Sequence, residues 1–129
     1  MSERFYITTP IYYVNDMPHI GHIYTTVMAD IFARYKRLTG AEVRFLTGTD
    51  EHGQKILRAA EANGEDPQTF TDRLSGKFLE TYRGLGISFD YFVRTSAKAH
   101  ELAVQEWFRR AYKSGDIYSA EYEGLYCVA

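Results

Sequence analysis

Phe5-Tyr6-Ile7-Thr8-Thr9-Pro10 runs through Ile11-Tyr12-Tyr13-Val14-Asn15-Asp16-Met17-Pro18 into His19-Ile20-Gly21-His22, and this passage decides the fold. Its first five residues are aromatic or β-branched and stop at a proline, which cannot donate to a sheet ladder. They predict a strand feeding a loop that reaches Pro18. From there Ile20, Ile23, Val27, Ile31, Tyr35 and Leu38 recur at steps of three or four, one apolar stripe of a helix over 19–38 that Gly40 stops. Val43-Arg44-Phe45-Leu46-Thr47 is a second strand candidate. Strand, helix and strand with so little loop predict a right-handed parallel βαβ unit, whose ligand edge is the carboxyl end of the strands.

Working outward, a short helix follows Gly53 through Ile56, Leu57 and Ala60 and ends near Asn63-Gly64. Asp66-Pro67 has the form of an N-cap followed by proline at the first helical position, opening a helix with the stripe Phe70, Leu74, Phe78, Tyr82 and Leu85. Residues 90–94 read as extended. Residues 97–114 form another amphipathic helix, through Val104, Trp107, Phe108, Ala111 and Tyr112, closed by Gly115. The tail over 117–128 alternates enough to predict a strand or hairpin. Neither an internal repeat nor a low-complexity linker divides the chain, and the order of elements predicts an α/β, doubly wound parallel sheet.

Composition removes several classes of function. The 129 residues carry 15 Lys+Arg against 17 Asp+Glu, a formal net charge of −2, which excludes a strongly basic nucleic-acid coat. The longest apolar run, 125–129, is five residues, far short of the roughly 20 that span a membrane. The first residues lack the long apolar segment of a secretory signal, so the expected compartment is the cytoplasm. One cysteine, Cys127, cannot form an internal disulfide, which agrees with a reducing compartment.

The chemistry concentrates where the first loop enters the first helix. The opening turn of a helix offers backbone N–H groups and a partial positive charge, so it can hold a phosphate, and Gly21 has no Cβ to keep a planar base off the backbone. His19 and His22 there could stabilise the charge of a nucleoside triphosphate reacting at its α-phosphate. Two plainer readings stand beside this one. Both histidines could be surface residues capping the helix start, or half of a metal site, because i and i+3 share a helix face. His-apolar-Gly-His arises by chance in about one chain in a thousand of this length, which favours the nucleotide reading.

The passage 8–22, followed by Phe45-Leu46-Thr47-Gly48-Thr49-Asp50-Glu51-His52-Gly53, closely resembles the methionyl-tRNA synthetases, class I aminoacyl-tRNA synthetases, over the whole chain. The His-Ile-Gly-His signature alone names only a superfamily; the flanking blocks name methionine. The resemblance implies the first half of a Rossmann-like doubly wound catalytic domain over 1–116. It also implies the start of a connective, zinc-knuckle insertion over 117–129, truncated at 129. The implied activity is that of a methionine-tRNA ligase, which joins methionine to ATP, with Mg2+, as methionyl adenylate and then moves the methionyl group to tRNA(Met). The residues implied are His19 and His22 as catalytic groups. Tyr12, Tyr13, Asn15, His19, Gly21 and His22 would bind ATP, and Ile11, Tyr13 and Asp50 methionine. Cys127 matches the first ligand of a zinc site whose next cysteine would fall beyond Ala129.

These assignments make sense from below. A buried ammonium beside a reacting carboxylate needs a fixed counter-charge such as Asp50, and a thioether is recognised by apolar and aromatic contacts such as Ile11 and Tyr13. The plainer alternatives are an N-cap ahead of Gly53-Gln54 for Asp50, core packing for Ile11 and Tyr13, and a small buried hydrophobe for Cys127. His52 carries no assigned role and His100 reads as a solvated helix residue. None of the five lysines sits in the Lys-Met-Ser-Lys-Ser-like string by which the family holds the triphosphate. The expectation is therefore an N-terminal fragment that is inactive alone and binds tRNA poorly. Two other readings remain open: a stand-alone His-x-Gly-His adenylyltransferase, and a non-catalytic binding module exposing Trp107 and Phe108.

Overall fold

The computed structural model describes residues 3–125. Cys127 and the end of the tail lie outside the described residues. Eight elements follow in order: β1 (Arg4–Thr8), β2 (Tyr12–Tyr13), α1 (Ile20–Leu38), β3 (Glu42–Asp50), α2 (Gln54–Asn63), α3 (Pro67–Gly84), β4 (Tyr91–Arg94) and α4 (Lys98–Ser114). Every strand pairing is parallel. β3 is central: Leu46 pairs with Thr8 of β1 and with Tyr91 of β4, and Thr49 pairs with Tyr12 of β2 and with Arg94 of β4. β1 and β2 therefore lie on one side of β3 and β4 on the other. β2 is the resumption of β1 after Pro10, whose missing N–H interrupts a ladder that Thr9 still extends through its N–H to the Leu46 carbonyl at 3.1 Å. The α/β class and the parallel βαβ order are as the sequence predicts, and the short β2 is an addition to them.

The core forms where α3 lies against the sheet. Phe70, Leu74, Phe78 and Tyr82, one every four residues, are buried against Val14, Phe45, Ile56 and Ala60. Burial of each large side chain stabilises by about 1.5–3 kcal/mol. Leu85, the fifth member of the expected stripe, is exposed beyond the last turn. Asp66 caps α3 through its carboxylate, which accepts from the N–H groups of Gln68 at 3.1 Å and Thr69 at 3.0 Å. Replacing Asp66 by Ala is expected to lower the denaturation midpoint, because two N–H groups of the first turn lose their acceptor. An unchanged midpoint would remove the cap from the account.

The stripe expected on α1 is corrected. Ile20, Ile31, Tyr35 and Leu38 face outward, and the helix instead buries Thr26, Ala29, Asp30 and Ala33, with Ile23 and Val27 at the margin. Small residues let the helix axis approach the sheet closely. Asp30, largely buried, accepts from the Ser88 N–H at 2.7 Å and from Arg34 Nε at 2.7 Å, tying α1 to the turn before β4. A helix with apolar residues on both faces gives periodicity two solutions, and hydrogen bonding selects the one that sequence spacing does not. The tail is corrected as well. Its described part, 117–125, forms no strand or hairpin, and Tyr118 and Tyr122 are exposed. Alternation specifies a strand only where a sheet face receives one set of side chains.

Candidate active site

β1, β2 and β3 all point their carboxyl ends toward the N-terminus of α1, so the loop after β1 is held between a strand end and a helix start. A cleft of about 390 Å³ opens there, lined by Ile11, Tyr12, Tyr13, Asn15, Asp16, Met17, His19 and His22. Five of the six residues expected to bind ATP are on its wall. Tyr12 and Tyr13 divide the work by strand alternation. Tyr12 turns inward, with its hydroxyl 3.1 Å from Thr26 Oγ1 and its ring 4.7 Å from that of His22, whereas Tyr13 is exposed at the mouth.

The two histidines cap their own helix. His19 is the N-cap residue, and its Nδ1 accepts from the Gly21 N–H at 3.1 Å. His22 reaches back, and its Nδ1 accepts from the His19 N–H at 3.2 Å. The rings stack with centroids 3.7 Å apart. Gly21, the sixth expected residue, is not part of the cleft wall. A Cβ there would stand 2.9 Å from His19 Cε1, so the glycine makes room for the His19 ring, and its N–H is already engaged by that ring. The capping alternative and the cleft-facing role are thus held by the same side chains. Phe78 of α3 supports His22 from beneath at 5.1 Å between ring centroids. Burial, and then the neighbouring His19, hold His22 below the ordinary imidazole pKa, which favours its neutral form.

A second cleft, about 590 Å³, lies between the end of β3 and the first turns of α4, with Ile11, Asp50, His52, Thr95, His100 and Glu101 on its wall. Ile11 borders both clefts; Tyr13 and Asp50 sit in different ones but are register partners across β2 and β3. Asp50 does not cap α2. Gly53 holds that position, with φ 111° and no side-chain hydrogen bond, which leaves the Asp50 carboxylate to the cleft. His100 is half-buried on the cleft wall rather than solvated as expected.

Sequence reasoning did not single out the group that holds this edge in place. Glu51 is buried, and Arg94 bridges it, Nε to Oε1 at 2.7 Å and Nη2 to Oε2 at 2.9 Å, while also reaching Asp72. Thr49 and Ser96 hydroxyls donate to the same carboxylate, and the Glu51 N–H donates to Thr95 Oγ1 at 2.8 Å. Burial alone would raise the Glu51 pKa, but these donors outweigh it and hold the carboxyl below its ordinary range. No sequence pattern marks an acid whose partner stands 43 residues away. Among the described residues no three His, Cys, Asp or Glu side chains come together as a metal site, and no helix is long and apolar enough to cross a membrane.

A family model described as tRNA synthetases class I (M) matches residues 5–129. The chain belongs to this class I tRNA synthetase family. It is 56% identical over 125 residues to the methionine--tRNA ligase of Thermotoga maritima, covering 97% of this chain and 20% of that protein. Among solved structures it resembles Mycobacterium tuberculosis methionyl-tRNA synthetase in complex with methionyl-adenylate. That match has a TM-score of 0.88 and 46% identity, over 90% of this chain and 23% of that one. The LeuRS–tRNA–LeuAMS complex of Agrobacterium radiobacter K84 superposes with a TM-score of 0.85 at 28% identity, over 91% and 15%. This class I synthetase chain thus spans between a fifth and a quarter of the length of curated relatives that it matches.

Proposed function

We propose that the chain supplies the adenylate-forming edge of a methionine-tRNA ligase, and one observation carries the reading. Ile11 forms a common wall between the cleft of His19 and His22 and the cleft of Asp50, so a nucleotide in the first and an amino acid in the second would meet there. In that reading Asp50 pairs with the α-ammonium of methionine and Ile11 and Tyr13 contact its thioether. A carboxylate oxygen of methionine attacks the α-phosphorus of ATP in line. The new P–O bond forms as the bond to the β-phosphate oxygen breaks, and pyrophosphate leaves. His19 and His22 stabilise the pentavalent charge without forming a covalent bond. Tyr12 and Asn15 shape the adenylate side of the cleft.

The proposal extends to the parts of the protein that the described residues do not contain. Residues 1–116 are assigned to the N-terminal half of the catalytic domain and 117–129 to the start of the connective insertion. The exposed apolar face of α1 and the exposed Trp107 and Phe108 of α4 suit cover by further protein of the relatives' length. Cys127, outside the described residues, is assigned as a zinc ligand in the longer protein. Mg2+ accompanies ATP as substrate, tRNA(Met) binds through the longer protein, and the compartment is the cytoplasm. The test is methionine-dependent ATP–pyrophosphate exchange in a chimera in which this chain replaces the matching fifth of the Thermotoga maritima ligase. Exchange is expected, reduced about 100-fold or more by His19→Ala. Exchange by the chimera that ignores His19→Ala would refute the assignment, and exchange by the 129 residues alone would refute their inactivity.

A further inference from the structure

α4 brings His100, Glu101, Val104 and Gln105 to the second cleft, yet among the described residues it buries no side chain, and only His100, Glu101 and Ala111 are half-buried. What holds this helix lies just before its first turn, where three consecutive residues close on Glu51, the residue that follows β3. Arg94 bridges both carboxylate oxygens at 2.7 and 2.9 Å, and the Ser96 hydroxyl donates to Oε2. Between them, Thr95 Oγ1 accepts from the Glu51 N–H at 2.8 Å. The Thr95 backbone is held as well: its N–H donates to the Thr49 carbonyl at 3.2 Å, and its carbonyl lies 3.3 Å from His52 Nε2. The Glu51 side chain at the centre has no exposed surface.

The helix itself is left weaker by this arrangement. Ser and Thr are favoured N-caps, and Thr95-Ser96 stand immediately ahead of α4. Both hydroxyls are engaged by Glu51 instead, and the cap position falls to Ala97, which offers no side-chain bond. A local rule is broken, and the compensation is a fixed direction for the helix start. The same bonds orient Asp50. Successive strand residues point to opposite faces, so Glu51, held inward by its carboxylate and its N–H, turns Asp50 toward the cleft. We propose that Glu51 is the positioning residue of the second cleft: its clasp by Arg94, Thr95 and Ser96 sets the spacing between Asp50 and the first turns of α4, and thereby the binding of the amino acid. Loosening the clasp moves the counter-charge of the α-ammonium and the facing helix together. His19 and His22 are held by bonds of their own and stay in place.

The proposal rests on the proposed amino-acid site for its ligand, and the test separates the two. In the chimera with the Thermotoga maritima ligase, Glu51→Gln is expected to raise the KM for methionine in ATP–pyrophosphate exchange about tenfold, with kcat and the KM for ATP changed by less than about threefold. Ser96→Ala, the milder variant, removes one donor and is expected to raise it about threefold. Asp66→Ala loses a cap on α3 and lines neither cleft, so it is expected to lower stability and leave the methionine KM unchanged. The placement of α4 is read in the chain itself, from the distance between spin labels at Arg58→Cys and Lys113→Cys in a Cys127→Ser background. One narrow distance distribution is expected with Glu51 and Ser96 in place, and a broadened or displaced one in Glu51→Gln and Ser96→Ala. An unchanged distribution in both clasp variants overturns the proposal. So does a methionine KM raised as far by Asp66→Ala as by Glu51→Gln, because the effect is then one of stability alone. Asp50→Asn keeps the two readings apart. If it raises the methionine KM and Glu51→Gln does not, the clasp does not set the cleft and the proposal fails by itself. If neither does, the second cleft is not the amino-acid site, and that part of the proposed function fails with it.

Discussion

Arg94→Met is expected to cost about 3 kcal/mol of stability at pH 7. The Glu51 side chain has no exposed surface, and Arg94 gives it two parallel charge-assisted bonds at 2.7 and 2.9 Å. Without the guanidinium the carboxylate remains buried with only hydroxyl partners, Thr49 and Ser96. The figure is set at the low end of the range for broken buried pairs because Arg94 keeps 30% of its own side chain in solvent. The pH dependence carries a sign. Glu51 has a folded pKa below its ordinary 4.5, so in the parent its ionisation contributes stability that is present above that value and lost as pH falls through the lower folded one. In the Met variant the same burial is opposed only by the Thr49 and Ser96 hydroxyls, so the carboxyl pKa rises above that of the parent. The gap between parent and variant should therefore narrow as the medium is acidified to about pH 4. Urea midpoints at the two pH values check this, and a gap that is constant, or below about 1 kcal/mol at pH 7, would show that the bridge is not holding a buried charge. Arg94→Lys should recover only part of the loss, because one ammonium cannot bridge both oxygens of Glu51 and reach Asp72.

That bridge also marks where reading a sequence stops. Spacing located every helix within a residue or two, because caps and stops are local: Asp66-Pro67 opened α3 and Gly40 and Gly115 closed α1 and α4. The placement of the two histidines was legible for the same reason, since His19, Gly21 and His22 are neighbours whose mutual hydrogen bonds lie within one helical turn. The outward stripe of α1 was not legible, because Ile31 and Tyr35 are as apolar as a core requires and only the partners of Asp30, 58 residues on at Ser88, decide which face turns in. Glu51 and Arg94 failed on the same ground. Hydrogen-bond networks between residues distant in sequence leave no periodic trace, whereas they determine the orientation of the strand ends on which Asp50 and His52 stand.

Gly48→Ala is expected to cost about 3 kcal/mol or more, and the reason lies in the middle of β3 rather than at a turn. Gly48 is the register partner of Val93 on β4. A Cβ at Gly48 would lie 2.0 Å from the Val93 carbonyl oxygen, 2.6 Å from its Cγ1 and 2.8 Å from its carbonyl carbon. Two of those three atoms are backbone, so no side-chain rotation relieves the clash and β4 itself has to move away from β3. The movement would stretch the ladder from Leu46 to Thr49, the Thr95 N–H to Thr49 carbonyl bond at 3.2 Å and the Arg94 bridge to Glu51 together. A glycine inside a strand is a known sign of close backbone approach, and here the approach bears on the second cleft, since Thr95, just after β4, and Asp50, at the end of β3, are both on its wall. Gly76→Ala is the matched control. It lies inside α3 with open space where its Cβ would go, and it is expected to raise stability by about 0.5–1 kcal/mol. Denaturation midpoints of the two variants, with amide hydrogen exchange over residues 91–94, distinguish the outcomes. Fast exchange in β4 for Gly48→Ala alone would mean that the strand has come away, and with it the carboxylate edge of the site. Equal midpoints for the two variants would mean that the sheet yields without cost, and that the position of Asp50 does not depend on β4.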